Sequence, residues 1–322
     1  MAADIVDGFV GCLLAAAIGD ALGMPVEGFS SEEIRKRFGK VREMMPAPEG
    51  HFHFGLESGQ FTDDTLETLI LAESMIESYG FSADNFSEKL ASWGGTWALD
   101  EKLGRGVGLT SRSSIEQMRS GASWKESGLS LPTCGSAMRA APIGLFYHCD
   151  IGLVSRYADL QSIPTHCGVA ARAGSIAVAC GVALGLMGFP KASVLKMVSE
   201  LSSRADKDFS EKLLLVNSLL EMEPTNALSL IGTSPAVFEV VPAAFYCFLK
   251  FSPEEAIIAA ASGGGDTDSI ASIVGALAGA SEGTGWIPER WRSTLEDAER
   301  IEAIGKKLAE LSLDMCSGKK AL

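Results

Sequence analysis

Three stretches of this 322-residue chain, residues 11–19, 170–188 and 270–280, sit in apolar, helix-like sequence yet are built largely from Gly, Ala and Ser. Glycine inside a helix costs about 1 kcal/mol against alanine, so its repeated use marks places where backbones approach closely. These stretches are expected at the centre of the fold. Elsewhere apolar residues recur at three- and four-residue spacing, with Glu, Lys or Arg between them. The spacing predicts helices over 4–22, 62–78, 83–93, 110–119, 136–147, 151–163, 166–187, 191–203, 208–221, 235–248, 253–262, 268–280 and 288–311. Pro235, Pro253 and Pro288 fall where a first helical turn accepts proline. No alternating apolar and polar run calls for a strand. The polar, glycine-containing stretches 24–60, 94–109 and 122–133 read as loops, and no repeat or linker divides the chain. The expectation is all-α: one domain over 1–322, a compact bundle of about a dozen helices.

Charge narrows the partners. There are 27 Lys and Arg against 41 Asp and Glu, a formal net charge of −14. Such a surface disfavours a nucleic-acid backbone or an anionic membrane. A local anion can still bind where a metal ion or helix N-termini reverse the field. The seven cysteines, Cys12, Cys134, Cys149, Cys167, Cys180, Cys247 and Cys316, are odd in number, and most lie in apolar stretches. They are expected as small buried hydrophobes in a reducing compartment, not as a disulfide framework. Asp4 and Asp7 make the N-terminus acidic where a secretion signal is basic. The longest uncharged apolar run, 175–190, falls short of the roughly 18 residues of a spanning helix. A soluble, cytoplasmic protein is expected.

Two acidic motifs carry the chemistry. Thr62-Asp63-Asp64-Thr65 and Gly264-Gly265-Asp266-Thr267-Asp268-Ser269 each open a predicted helix, far apart in the chain. Alone, the first is equally an N-cap with first-turn acids. The second is more than a cap, because its glycines let the backbone bend and its D-x-D spacing aims two carboxylates the same way. An EF-hand is excluded, since the later Gly and Glu of that loop are missing. If the two helix starts meet, four carboxylates share a pocket and hold one another protonated. Hard divalent cations remove that conflict, and Asp, Thr and Ser oxygens suit Mg²⁺ or Mn²⁺. Read jointly, the motifs predict a binuclear site at helix N-termini.

Other residues are weaker signals. Asp20 ends the first helix, where an acid opposes the dipole, so a structural hydrogen bond is expected for it. Glu27, in the following loop, fits a structural or a functional role equally. The glycine-rich segments 103–108 and 133–139 suit phosphate cradles. His166 alone reads as a helix cap. His51 and His53 lack a third histidine at ligand spacing and read as loop residues. Cys134 has no basic neighbour in sequence to support a thiolate.

In this order, Gly19-Asp20-Ala21-Leu22-Gly23, Thr62-Asp63-Asp64-Thr65, Gly104-Arg105-Gly106-Val107-Gly108, Gly135-Ser136-Ala137-Met138-Arg139, Thr165-His166, Gly265-Asp266-Thr267-Asp268-Ser269 and Ile287-Pro288-Glu289-Arg290-Trp291 resemble the ADP-ribosylglycohydrolase family. The resemblance runs from residue 8 to about 310. It implies a compact all-α domain with two divalent metal ions, Mg²⁺ or Mn²⁺, held by Thr62, Asp63, Asp64, Asp266, Asp268 and Ser269. Glu27 would gate the site or help activate the attacking group, beside catalytic Asp63, Asp64 and Asp266. Gly106, Val107, Gly108, Gly135 and Ser136 would contact ADP-ribose, with Met138 lining the pocket and His166 on the nucleotide side. Arg139 would support them. Three departures stand out: Thr133-Cys134 replaces a common Gly-Asn, Val107 replaces a common tyrosine, and an aspartate frequent near Gly106 in arginine-type bacterial members is absent. The implied activity is metal-dependent hydrolysis at the distal ribose, releasing ADP-ribose from a modified protein side chain or small acceptor. Two alternatives stay open: a catalytically inactive ADP-ribose-binding or structural relative, and a binuclear phosphohydrolase for another nucleotide.

Overall fold

The computed structural model describes residues 5–97 and 99–318, which fold into helices joined by loops. The first half runs α1 (Ile5–Gly23), α2 (Ser31–Phe38), α3 (Asp63–Ser78), α4 (Ala83–Thr96), α5 (Leu109–Arg119), α6 (Gly135–Met138), α7 (Ala141–Phe146) and α8 (Ile151–Ser162). The second runs α9 (Val169–Leu186), α10 (Lys191–Ser202), α11 (Lys207–Leu214), α12 (Val216–Leu219), α13 (Pro224–Ile231), α14 (Val237–Lys250), α15 (Pro253–Ala261), α16 (Thr267–Glu282), α17 (Glu289–Arg292) and α18 (Ala298–Cys316). Among the described residues no strand forms.

The small-residue helices lie at the centre. α1 and α16 touch backbone to backbone: a Cβ added to Gly19 would stand 2.1 Å from the Ala271 carbonyl oxygen, and one on Gly275 1.9 Å from that of Ala15. Neither carbonyl can withdraw without unwinding its helix. α9 lies against α16 and is buried along nearly its whole length. A helix apolar on every side needs neighbours on every side. Ile5–Val26 and Val169–Leu186 are, by length and composition, apolar enough to cross a bilayer, which the count of uncharged residues had missed; 83% and 89% of those windows are buried inside the fold.

Several predicted boundaries change for physical reasons. α2 lies inside the stretch read as loop. It is set by a capping box, in which the Ser30 hydroxyl accepts from the Glu33 N–H and Glu33 Oε2 from the Ser30 N–H. Ile34 is its one buried residue, so it carries no apolar stripe to read. α13, also missed, begins on Pro224 in first-turn position. The predicted 136–147 helix divides into α6 and α7 just before Pro142. The 288–311 helix divides at Asp297, which adopts a left-handed φ of 54°. Pro235 precedes α14 rather than opening it, and Pro242 lies within it. Segments therefore outnumber the expected dozen.

The cysteine expectation needs one correction. Cys149 and Cys316 form a disulfide across 167 residues, tying the end of α18 to the turn after α7. These two lie at polar, partly exposed ends, outside the apolar stretches that hold the buried Cys12, Cys180 and Cys247.

Candidate metal centre and ligand cavity

Asp20 is the hinge of the site's geometry. From the last turn of α1 it accepts the backbone N–H groups of Thr62 (2.9 Å) and Thr65 (3.0 Å) and the hydroxyls of both (3.0 and 2.6 Å). One carboxylate thus satisfies orphan donors at the start of α3. The role is structural. Thr62 is the N-cap, its hydroxyl donating to Asp20 and accepting from the Asp64 N–H. Expected among the metal ligands, Thr62 has its hydroxyl engaged in that cap, and it is not among the residues that line the cavity.

The start of α16 is built by Gly264 and Gly265, at φ 83° and 74°. Such angles favour glycine, and a Cβ on Gly265 would stand 2.0 Å from the Thr233 carbonyl oxygen. Gly265 exchanges backbone hydrogen bonds with Phe29 (2.9 Å) and Gly28 (2.8 Å), which fixes the Glu27 loop beside the turn. The Ser269 hydroxyl then reaches Asp64 Oδ1 at 3.3 Å, 205 residues away in sequence. The two acidic motifs converge.

Six carboxyls gather there, and burial dominates their titration. Burial, then Asp268, lifts Asp20 to about 7. Burial, then Asp266, lifts Asp268 to about 8. Glu27, Asp63 and Asp64 are pushed well above the usual carboxylate range, by burial first and acidic neighbours next, and burial raises Asp266 as well. Asp64 Oδ2 is buried with no hydrogen-bond partner. A buried orphan oxygen in a ring of carboxyls fits a hard cation, which supplies the missing partner and the counter-charge. Glu27, His53 and Asp268 also offer three ligand atoms within 4.8 Å of one another.

His51 and His53 are more than loop residues. His51 Nε2 donates to the Glu27 carbonyl (2.7 Å), and His53 Nε2 lies 2.6 Å from Glu27 Oε2. The His53 N–H donates to His51 Nδ1, so His51 is the Nε2–H tautomer. Burial, then His51, lowers His53 to about 4, leaving it neutral. The pair clasps Glu27 by backbone and side chain.

A cavity of about 380 Å³ opens onto the carboxylates. Glu27, Asp63, Asp64, Asp266, Asp268 and Ser269 form one side; Gly106, Gly108, Gly135, Met138 and His166 line it too, as the resemblance implied. Val107 does not, because its side chain packs into the hydrophobic core. Nor does Ser136, whose hydroxyl faces Ala171 O and Ser162. A larger cavity, about 490 Å³ between α2 and α15, holds none of the six carboxyls, so chemistry rather than size selects the site.

Arg139 is fully buried and pairs with Glu67, one turn beyond Asp63. It also donates to Gln161 and to Thr165 Oγ1 (2.8 Å). Thr133 Oγ1 donates to Thr110 Oγ1 (3.2 Å) and so accepts from His166 Nε2–H (3.0 Å), which leaves His166 Nδ1 to accept the Thr165 hydroxyl proton (2.8 Å). Burial, then Arg139, drives His166 down to about 3, so it is neutral. It is no cap, since Gly168 holds that position for α9.

A helical scaffold that gathers carboxylates from two remote helix starts at one cavity defines a protein with a candidate oxygen-donor metal site. The chain belongs to the ADP-ribosylglycohydrolase family, whose model matches residues 1–317. It is 40% identical to an uncharacterized protein of Archaeoglobus fulgidus over 95% of this chain and 97% of that one. It is 31% identical to the ADP-ribosylarginine hydrolase Tri1 of Serratia proteamaculans (92% and 78% covered) and 27% to the ADP-ribosylhydrolase ARH3 of Bos taurus (93% and 92%). A solved ADP-ribosylglycohydrolase-related protein complex aligns with TM-score 0.75 and 27% identity, over 96% of this chain and 99% of that chain.

Proposed function

We propose that this protein hydrolyses the glycosidic bond at the distal ribose of ADP-ribose, releasing ADP-ribose from a modified protein side chain or small acceptor. The observation that carries the reading is the convergence of Asp63 and Asp64 with Asp266, Asp268 and Ser269 at one cavity, in a chain whose relatives include named ADP-ribosyl hydrolases. Two divalent ions, Mg²⁺ or Mn²⁺, would be held by those five residues. Bound there, they supply orientation of sugar hydroxyls and a water of lowered pKa. Burial, then the charges of Asp268 and Asp266, hold the Glu27 proton on; with bound ions offsetting those charges, Glu27, clasped by His51 and His53, would take the proton of the attacking water. Backbone N–H groups of the glycine loops around Gly106 and Gly135 would hold acceptor oxygens of the nucleotide despite the acidic surface, with His166, its ring nitrogens already paired, lining the same cavity.

The test is a panel of arginine-, serine- and acyl-linked ADP-ribose conjugates with metal-stripped protein, Mg²⁺ or Mn²⁺ being restored. Metal-dependent release of free ADP-ribose from at least one linkage is expected. Binding without release would favour an ADP-ribose sensor, and orthophosphate release a phosphohydrolase; either outcome contradicts the proposal.

A further inference from the structure

A line of hydrogen bonds runs from the buried Arg139–Glu67 pair to the wall of the cavity. Arg139, held by Glu67, can only donate, and it gives one N–H to Thr165 Oγ1 at 2.8 Å. Thr165 is fully buried, and its hydroxyl has His166 Nδ1 as its other partner, at 2.8 Å. His166 Nε2 lies 3.0 Å from Thr133 Oγ1, and the Thr133 hydroxyl donates to Thr110 Oγ1 at 3.2 Å. His166, Thr133 and Thr110 all line the cavity.

Both ends fix the direction of this line. His166 is neutral, so one ring nitrogen carries a proton and the other accepts. With the proton on Nδ1, Thr165 would face two donors, and its own proton would have no acceptor among the described residues. At the outer end, Thr133 has given its proton to Thr110 and must accept from His166 Nε2–H. Every proton therefore points toward Thr110. The Thr110 hydroxyl proton has no acceptor among the described residues, although Thr110 is only 6% exposed. A buried hydroxyl with a proton to give calls for an acceptor.

The surroundings indicate which acceptor. Thr110 is the second residue of α5, whose N-cap, Gly108, has no side chain to occupy the free N–H groups. Residues 108–111 all line the cavity, and the positive end of an 11-residue helix beside a donor hydroxyl suits an anion. Ser114, one turn further along α5, donates to the Thr165 carbonyl at 3.1 Å, which ties the helix to the inner end of the line.

We propose that the Thr110 hydroxyl donates to a phosphoryl oxygen of the bound nucleotide, and that Thr133, His166 and Thr165 are positioning residues that keep its proton free for that bond. The inference rests on the reading of this cavity as the ADP-ribose site.

The test uses the full chain with Mn²⁺ restored. Binding of free ADP-ribose and of adenosine is measured by calorimetry, and the His166 ring is followed by nitrogen NMR. Thr110→Val and Thr110→Ala remove the hydroxyl with and without keeping its volume. Both are expected to bind ADP-ribose about tenfold more weakly, the scale of a hydrogen bond to a charged acceptor, and adenosine as the wild type does. The wild-type ring should be protonated at Nε2 and hydrogen-bonded at Nδ1. Thr165→Val should lose that Nδ1 signature and weaken ADP-ribose binding, and Thr165→Ser should restore both. Undiminished ADP-ribose binding by either Thr110 variant overturns the proposal, as does an equal loss for adenosine, which would make the effect one of cavity shape. A wild-type ring protonated at Nδ1 overturns the direction of the line. These results leave the hydrolase reading intact, whereas a wild type that fails to bind ADP-ribose at all overturns both.

Discussion

Asp64 and Asp266 come from opposite ends of the chain, and the same pocket keeps both from water. Replacing either with asparagine keeps the volume and removes a crowded charge. Asp64→Asn or Asp266→Asn is therefore expected to lower kcat by about 100-fold or more, while metal-free stability holds or rises; steady-state kinetics and thermal unfolding check this. The titration has an unusual sign. A carboxyl whose folded-state pKa exceeds its unfolded value takes up a proton on folding, so stability grows as pH falls through that window. With Asp268 near 8 and Asp20 near 7, metal-free protein should gain melting temperature from about pH 8 down toward pH 5. Saturating Mn²⁺ should flatten or reverse the trend, because bound carboxylates stay ionised. A metal-free curve falling with acid over that range would contradict the geometry. At this scale the acidic motifs were legible because each is local, a hydroxyl and two acids within a few residues. The His51–His53 clasp was not, because Glu27 lies 24 and 26 residues away and nothing in the spacing links them. Nor could sequence foretell that Val107 and Ser136 turn into the core.

Among the elements, α1 and α16 do most to place the site, since Asp20 ends the first and Asp266 begins the second. Their contact leaves no room for side chains. Gly275→Val would drive a Cβ into the Ala15 carbonyl, and is expected to cost about 3 kcal/mol or more, read from urea unfolding. Activity of the surviving folded fraction should fall as well, because the register of α1 against α16 sets the distance between Asp20 and Asp268. The Gly/Ala/Ser composition announced this pair, and α9 with it, since close approach leaves its mark in the residues themselves. α2 escaped notice for the opposite reason: its formation depends on the Ser30–Glu33 cap, and it buries only Ile34. Helix ends near Pro142 and Asp297 were lost where local backbone chemistry interrupts an otherwise continuous apolar rhythm.

Across the whole molecule, the site exists only because the first and last thirds of the chain pack as one core. The Cys149–Cys316 disulfide fastens the last helix to that core over a span of 167 residues. Reduction, or Cys316→Ser, is expected to lower stability by about 2–4 kcal/mol with little change in kcat, measured by denaturant unfolding under oxidising and reducing conditions. Pairing over that separation leaves no trace in sequence spacing, whereas the all-α class and the resemblance to a family did. The central claim is that carboxylates from the two ends are brought together to hold divalent ions. Its most direct test is the anomalous difference map of crystals soaked in manganese. Two peaks among Asp63, Asp64, Asp266 and Asp268 are predicted; a map with no peak between those side chains would contradict the account.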